Sequence, residues 1–147
     1  MIDITLDLET FALAPTAAVM SVGAVVWKRD GEKSPFYICG IGAVKYPTFS
    51  AHVDLRGMFV DGFTFDKVTA DWWRQKSEEA KAAVLCSDDD ATPCSPIQTV
   101  VHNFFDWIKE IKETLHDKKV CLWAQGTDFD IAILRNICYK LNINIPV

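Results

Sequence analysis

Hydrophobic and polar residues alternate along the first nine positions of the chain. Isoleucine or leucine stands at each even position from 2 to 8, and polar residues stand at the odd positions from 3 to 9. This period of two predicts a strand, and it puts Asp7 and Glu9 on one face with Cα atoms roughly 7 Å apart. Two carboxylates at that spacing can share hard divalent cations. The simpler interpretation is a half-buried strand whose polar face is wet.

Two more extended segments are predicted after this strand. The apolar run Ala18–Trp27 is broken only by small residues and predicts a second strand. Lys28–Lys33 contains Asp-Gly, a turn signal. Phe36–Ile41 and Phe49–Leu55 can both be extended, so we expect one further strand with an irregular segment beside it. Together these segments predict an antiparallel three-stranded meander.

Helical periodicity begins at about residue 66. Apolar residues recur at helical spacing from Asp66 to Leu85, which predicts a helix there. Ser95 offers an N-cap, followed by proline at the first helical position and a capping-box glutamine, so a long helix should run to His116. Its apolar stripe predicts the core and consists of Ile97, Val100, Val101, Phe104, Phe105, Ile108, Ile111 and Leu115.

A short apolar run near the end of the chain predicts another strand. Val120–Ala124 suits a strand buried on both faces, and Phe129–Leu141 follows as a helix. The order is β-β-β-α-α-β-α. It predicts an α/β fold in which a mixed sheet, the meander plus this strand, is flanked by helices. With 147 residues, half of them hydrophobic, the chain can bury one core, so a single domain over 1–147 is the expectation.

Composition narrows the range of functions that the chain could have. A formal charge of -5 leaves no broad cationic surface. A nucleic-acid enzyme with this charge would therefore hold only a short end of the nucleic acid, with the help of metal ions. A basic leader and a run of about 20 apolar residues are both lacking, which predicts a soluble, unexported protein with no membrane partner. Five cysteines without C-x-x-C suit a reducing cytoplasm best. The acidic run between Cys86 and Cys94 fits a solvated loop better than a metal site.

Two further acids, Asp128 and Asp130, follow the Val120–Ala124 strand. Ligands collect at the carboxyl ends of strands in open α/β sheets, although an acid at such a position is usually a helix cap. The segment Trp123–Leu134 resembles the second motif of DEDD-family 3'-5' exonucleases, in which a Phe-Asp pair precedes an apolar helix. Leu6–Thr10 resembles that family's first motif.

The resemblance is closest to the single-domain exonucleases of phages and bacteria, and it covers Ile2 to about Leu141. It includes the second strand and the pattern Thr69-x-x-Trp72-Trp73-x-Gln75. The double tryptophan is most simply core packing, with stacking on a base as the alternative. The resemblance implies a ribonuclease H-like fold.

The resemblance also implies the chemistry and the site residues. Two divalent cations, Mg²⁺ or Mn²⁺, would be held by four carboxylates, with Asp7, Glu9 and Asp130 as three of the catalytic and metal-binding residues. Asp7 would bridge both ions, Glu9 would orient the attacking water, and Asp130 would bind the second ion. Thr10 and Phe11 would cradle the terminal nucleotide. We expect Asp128 to be a helix cap.

The family's third motif, a His or Tyr followed by the fourth Asp, belongs to a helix after another strand. We therefore expect this chain to be a domain that stops short of that strand and helix, which makes it a weak or inactive 3'-5' exonuclease acting on single-stranded DNA or RNA 3' ends. The alternative is a catalytically incomplete module that binds nucleic-acid ends or a protein partner. Loss of the last elements would uncover apolar surface and favour a homo-oligomer.

Overall fold

The computed structural model of the chain describes residues 1–27, 48–87, 93–116, 119–126 and 128–146. Five strands lie in these ranges: β1 (Ile2–Thr10), β2 (Val19–Trp27), β3 (Thr48–Val53), β4 (Cys94–Ser95) and β5 (Val120–Trp123). The helices of the same ranges are α1 (Leu55–Val60), α2 (Lys67–Arg74), α3 (Glu78–Ala82), α4 (Ile97–Thr114) and α5 (Asp130–Lys140).

The strands form one mixed sheet in the order β4-β3-β2-β1-β5. β1 pairs antiparallel with β2, and β2 pairs antiparallel with β3. β5 lies parallel to β1, with Ile2 opposite Val120, and β4 lies parallel to β3. The predicted α/β class is therefore confirmed, with its antiparallel meander and added parallel strand. The predicted turn Lys28–Lys33, the segment Phe36–Ile41 and the acidic run Asp88–Asp90 lie outside the described residues.

The core lies between the sheet and the apolar stripe of α4. The apolar residues of β1 are almost completely buried, as are those of the stripe through Ile111. Phe104 is 1% exposed, and its ring lies 5.4 Å from that of Phe49 on β3 and 5.9 Å from that of Trp107. The sequence prediction of this helix and its buried face is confirmed.

The predicted helix from Asp66 to Leu85 is wrong in detail, because it is two helices with separate caps. The Asp66 carboxylate accepts from the Thr69 backbone N–H at the start of α2, and the Ser77 hydroxyl accepts from the Ala80 N–H at the start of α3. A further helix, α1, begins directly after β3, where the Asp54 side chain accepts from the Arg56 N–H. Local capping by short polar side chains divides the segment.

Two other predicted caps are also wrong. Ser95 is not the N-cap of α4, because it extends β4 and its carbonyl accepts from the Asp54 N–H at 2.9 Å. Pro96 takes the cap position instead. Asp128 is exposed and is not the cap of α5. Phe129 occupies that position and makes no side-chain cap hydrogen bond.

The prediction that β5 is buried on both faces is wrong. β5 is the last strand of the sheet within the described residues, and Trp123 is 39% exposed. Its indole N–H donates to Asp3 Oδ1 at 2.7 Å, and its ring lies 6.4 Å from that of Trp27. An edge strand buries less of each side chain than a central strand does. Replacing Trp123 by alanine should therefore lower the free energy of unfolding less than replacing a tryptophan in a strand that is buried on both faces.

The cysteines differ from a fully reduced set. Cys86 and Cys94 form a disulfide, with Cα atoms 5.5 Å apart, that joins the segment after α3 to β4. Cys138 is buried in the core, and its burial raises the thiol pKa to about 11, so that thiol stays protonated and unreactive. In the described part of the chain, no helix combines the length and apolar character needed to cross a membrane.

Replacing Phe104 by alanine should lower the free energy of unfolding by ~3 to 5 kcal/mol, because it leaves a cavity between the sheet and α4. Phe65→Ala is the matched control, since the Phe65 side chain is 60% exposed and its loss should cost less than about 1 kcal/mol. Urea denaturation of both variants measures the difference. Equal losses would contradict the placement of the core.

Candidate active site

β1 and the amino end of α5 bring three carboxylates together. Asp7 is exposed on β1, Glu9 is partly exposed two residues later, and Asp130, the first residue of α5, is only 4% exposed. The Leu8 backbone N–H donates to Asp130 Oδ1 at 3.0 Å. This bond is available because the β5 ladder ends at Thr5. The edge of β1 is therefore open where the two strand acids lie.

Two of the three acids have a raised pKa. Burial is the largest cause of the raised pKa of Glu9, and the charges of Asp7 and Asp130 add to it. Burial also raises the pKa of Asp130, with a contribution from Asp7, while the Leu8 hydrogen bond opposes the increase. Within the described residues, none of the three forms a salt bridge. The site therefore carries uncompensated negative charge.

The donor chemistry of this site suits a hard cation. Carboxylate oxygens are the preferred ligands of Mg²⁺ and Mn²⁺, and a bound cation would offset the mutual repulsion of the acids. As they stand, however, the described residues contain no group of three or more His, Cys, Asp or Glu side chains that could hold an ion. Ion binding would therefore require side-chain movement, which exposed Asp7 is free to make.

A cavity of about 360 Å³ opens beside Glu9, and we call it the acid-side pocket. Its walls are mostly apolar and come from β1, the following loop, α2 and the start of α5. The lining residues are Leu8, Glu9, Thr10, Leu13, Val68, Thr69, Trp72, Trp73 and Phe129. An apolar cavity of this size with a few polar groups at its edge is typical of a small-molecule site.

The two adjacent tryptophans have different environments. Trp73 is buried, and its indole N–H donates to the Thr10 carbonyl at 3.0 Å. Trp72 is 50% exposed and meets Trp73 edge to face, with 4.9 Å between ring centroids. The Lys76 ammonium lies 3.7 Å from the centre of the Trp72 ring. Both side chains line the acid-side pocket, but Trp73 mainly serves core packing, whereas half of Trp72 stays exposed.

Thr10 and Phe11, at the end of β1, line different cavities. Thr10 lines the acid-side pocket, and its hydroxyl donates to the Ala12 carbonyl at 2.8 Å. The Phe11 N–H donates to the Ala18 carbonyl at 2.9 Å, and its ring lines another cavity. The Phe11 amide is therefore already engaged within the fold.

Sequence reasoning missed Leu13, Val68 and Phe129 as pocket residues. Val68 and Trp72 stand four residues apart on α2, so helical spacing put them on one face. Leu13 and Phe129 join them because the loop after β1 and the start of α5 lie near α2. No local pattern reports that arrangement.

The strand order of the sheet and the helices that flank it give this chain the ribonuclease H-like fold of DEDDh nucleases. The nuclease domain of 3'hExo, a DEDDh family member solved bound to rAMP, superposes with a TM-score of 0.54 at 14% identity. Cell-death related nuclease 4 (CRN-4) gives 0.57 at 17%. The matches cover 97% and 98% of this chain but 60% and 41% of those chains.

Residues 2–147 match the model of the 3'-5' exoribonuclease Rv2179c-like domain family. The chain belongs to this family, and the predicted membership of the DEDD exonucleases is confirmed. No curated protein matches the sequence.

Glu9→Gln should stabilise the metal-free protein at pH 7. A raised pKa means that the folded protein keeps this proton to higher pH than the unfolded chain does, so the free energy of unfolding falls as pH rises through the raised pKa. The gain in the variant should therefore shrink as pH falls toward the ordinary glutamate value of 4.5. Urea denaturation in EDTA between pH 4 and 8 measures it.

Glu110→Gln is the control, because Glu110 is exposed on α4 outside the acidic site. It should give no comparable gain at pH 7. A Glu9→Gln protein with unchanged or lower stability at pH 7 would show that neither burial nor the neighbouring acids raise the pKa of Glu9 in solution.

Proposed function

We propose that this domain is a metal-dependent 3'-5' exonuclease that acts on single-stranded DNA or RNA ends. The observation that carries the proposal is the position of Asp130, hydrogen-bonded to the backbone N–H between Asp7 and Glu9 and coupled electrostatically to both. Membership of the exoribonuclease family supports the same activity. Asp7, Glu9 and Asp130 would be the catalytic residues and the metal ligands.

Two divalent cations, Mg²⁺ or Mn²⁺, would supply charge neutralisation of the scissile phosphate and a more acidic bound water. Asp130 would use the carboxylate oxygen that the Leu8 N–H leaves free. Glu9 would orient the attacking water through its carboxylate.

The acid-side pocket would hold the terminal nucleoside. Its apolar walls, from Leu13, Val68 and Phe129, suit the faces of a base, and the exposed part of Trp72 offers a stacking surface. Glu9 and Thr10 place polar atoms at one side of the pocket, where the sugar and phosphate would lie next to the acids. The rAMP in the 3'hExo nuclease domain supports mononucleotide binding in this fold.

A second candidate function is binding without cleavage. The observation that favours it is that, in the described ranges, no three acidic, histidine or cysteine side chains are already placed to hold an ion. In that case the acid-side pocket would receive a nucleic-acid end or a protein segment, and no hydrolysis would follow.

Metal binding tests the three acids directly. Asp7→Asn should weaken Mn²⁺ binding most, because this residue is proposed to bridge both ions, and Asp130→Asn should weaken it less. Isothermal titration calorimetry measures the affinities, with Asp106→Asn, exposed on α4, as the control. If both site variants bind Mn²⁺ as the unaltered protein does, the acids do not form the metal site.

A 5'-labelled single strand with Mn²⁺ tests the activity. Products shortened stepwise from the 3' end, and absent with Asp7→Asn, would support the exonuclease. Strands of DNA and RNA run in parallel identify the preferred substrate.

Tight binding with no shortening, unchanged by Asp7→Asn, would instead support the binding module. Shortening that continues on strands whose 3' hydroxyl is blocked, or internal cuts, would contradict the assignment of the activity to 3' ends.

A further inference from the structure

The Cys86–Cys94 disulfide connects the helical segment after β3 to the edge of the sheet. Cys86 follows α3, and Cys94 begins β4, which lies beside β3 at one end of the strand order. Cys94 is exposed, so a thiol in solution can reach this end of the bond. Neither the family match nor the three carboxylates account for a disulfide at this place.

The end of α3 is attached to the sheet at two neighbouring points. The first is the disulfide, and Cys86 Sγ lies 3.5 Å from the carbonyl oxygen of Val53 at the end of β3. The second is a hydrogen bond of 2.9 Å between His52 Nε2 and the carbonyl oxygen of Ala83, the C-cap of α3. The position of this helix end is therefore fixed relative to β3 and β4.

α3 has little other support of its own. It is a helix of five residues, Glu78–Ala82, and none of them is buried. A helix this short is marginal without tertiary contacts, and such a segment opens more readily than the core does. A disulfide stabilises a segment of this kind by restricting the open chain. We therefore expect α3 to depend on the disulfide far more than α4 does.

The segment after α3 is in contact with a wall of the acid-side pocket. Val84 is 8% exposed and packs with Met20 and Trp73 in a small buried cluster. Trp73 lines the acid-side pocket, and its indole N–H donates to the carbonyl of Thr10, which follows Glu9 in β1. Displacement of Val84 would therefore remove the packing that supports this wall.

We propose that Cys86 and Cys94 form a redox-sensitive link that holds α3, and with it the Trp73 wall of the acid-side pocket, in place. Oxidation fixes the wall, and reduction loosens it and weakens nucleotide binding. The effect on nucleotide binding rests on the proposed function, because the acid-side pocket must hold the terminal nucleoside. The effect on α3 does not depend on that function.

The reduction is a thiol–disulfide exchange with a dithiol. One thiolate of the dithiol attacks the exposed Cys94 sulfur, the bond between the two cysteine sulfurs breaks, and the Cys86 sulfur leaves as a thiolate and takes up a proton. The second thiolate of the reagent then attacks the mixed disulfide. Both cysteines end as thiols and the dithiol ends as a cyclic disulfide, so two electrons and two protons pass to the protein. Exchange with a low-molecular-weight disulfide reverses the reaction.

Hydrogen–deuterium exchange with and without dithiothreitol tests the link. The hydrogen-bonded amides of Lys81, Ala83 and Leu85 should exchange about tenfold faster after reduction, whereas the amides around Phe104 on α4 should not change. Calorimetry in Mg²⁺ measures the second effect. The affinity for a nucleoside monophosphate should fall by about threefold, in proportion to the fraction of molecules whose pocket wall is in place.

The double variant Cys86→Ser/Cys94→Ser should match the reduced protein in both measurements and should not respond to dithiothreitol. Cys121→Ser is the matched control, because Cys121 lies on β5 as a free thiol, and this variant should respond as the unaltered protein does. Alkylation and peptide mapping verify the redox state. If Cys86 and Cys94 remain open to alkylation after treatment with glutathione disulfide, the link does not form and the proposal is overturned.

Three further results would overturn the proposal: unchanged exchange of the α3 amides on reduction, an equal increase around Phe104, or faster exchange in α3 with unchanged affinity for the monophosphate. The second of these would show that the disulfide stabilises the whole domain rather than α3. A failure of the oxidised protein to bind any nucleoside monophosphate would overturn the proposed function instead, and the exchange of the α3 amides would then decide whether the link holds α3.

Discussion

The hydrogen bond from the Leu8 N–H to Asp130 Oδ1 is the contact on which the candidate site depends. It joins residues 122 positions apart and attaches the start of α5 to the open edge of β1. Without it, the buried Asp130 carboxylate would lose its hydrogen-bond donor from β1. Asp7 and Glu9 would then have no third carboxylate held beside them. A buried carboxylate is tolerated when backbone donors satisfy it, which explains how a 4% exposed aspartate can begin this helix.

The same arrangement costs stability. Glu9 and Asp130 both have raised pKa values, with burial as the largest cause and neighbouring negative charge adding to it. The core must offset this cost, and α4 supplies a large apolar surface for doing so, with Phe104 in contact with β3. Negative charge is concentrated at one end of β1, while the rest of the strand packs in the apolar core. This contrast is typical of a functional site whose cost in stability is offset by the core.

Trp73 organises the surface around the acids. Its indole bond to the Thr10 carbonyl attaches α2 to the end of β1, and its side chain lines both the acid-side pocket and the cavity next to Phe11. The neighbouring Trp72 stays half exposed at the edge of the acid-side pocket. One tryptophan therefore holds the helical segment in place, and the other is available to a ligand.

The amino-acid sequence by itself determined the elements whose periodicity is strong: the alternation of β1, the stripe of α4 and the helical pattern of α5, together with Asp7 and Glu9 on one face. Tertiary structure decided what local pattern cannot encode. β5 became an edge strand, the segment after β3 divided at polar caps, and Asp130, unlike Asp128, reached β1. Periodicity reports which face of an element is buried, whereas pockets and long-range hydrogen bonds depend on where elements distant in sequence meet in space.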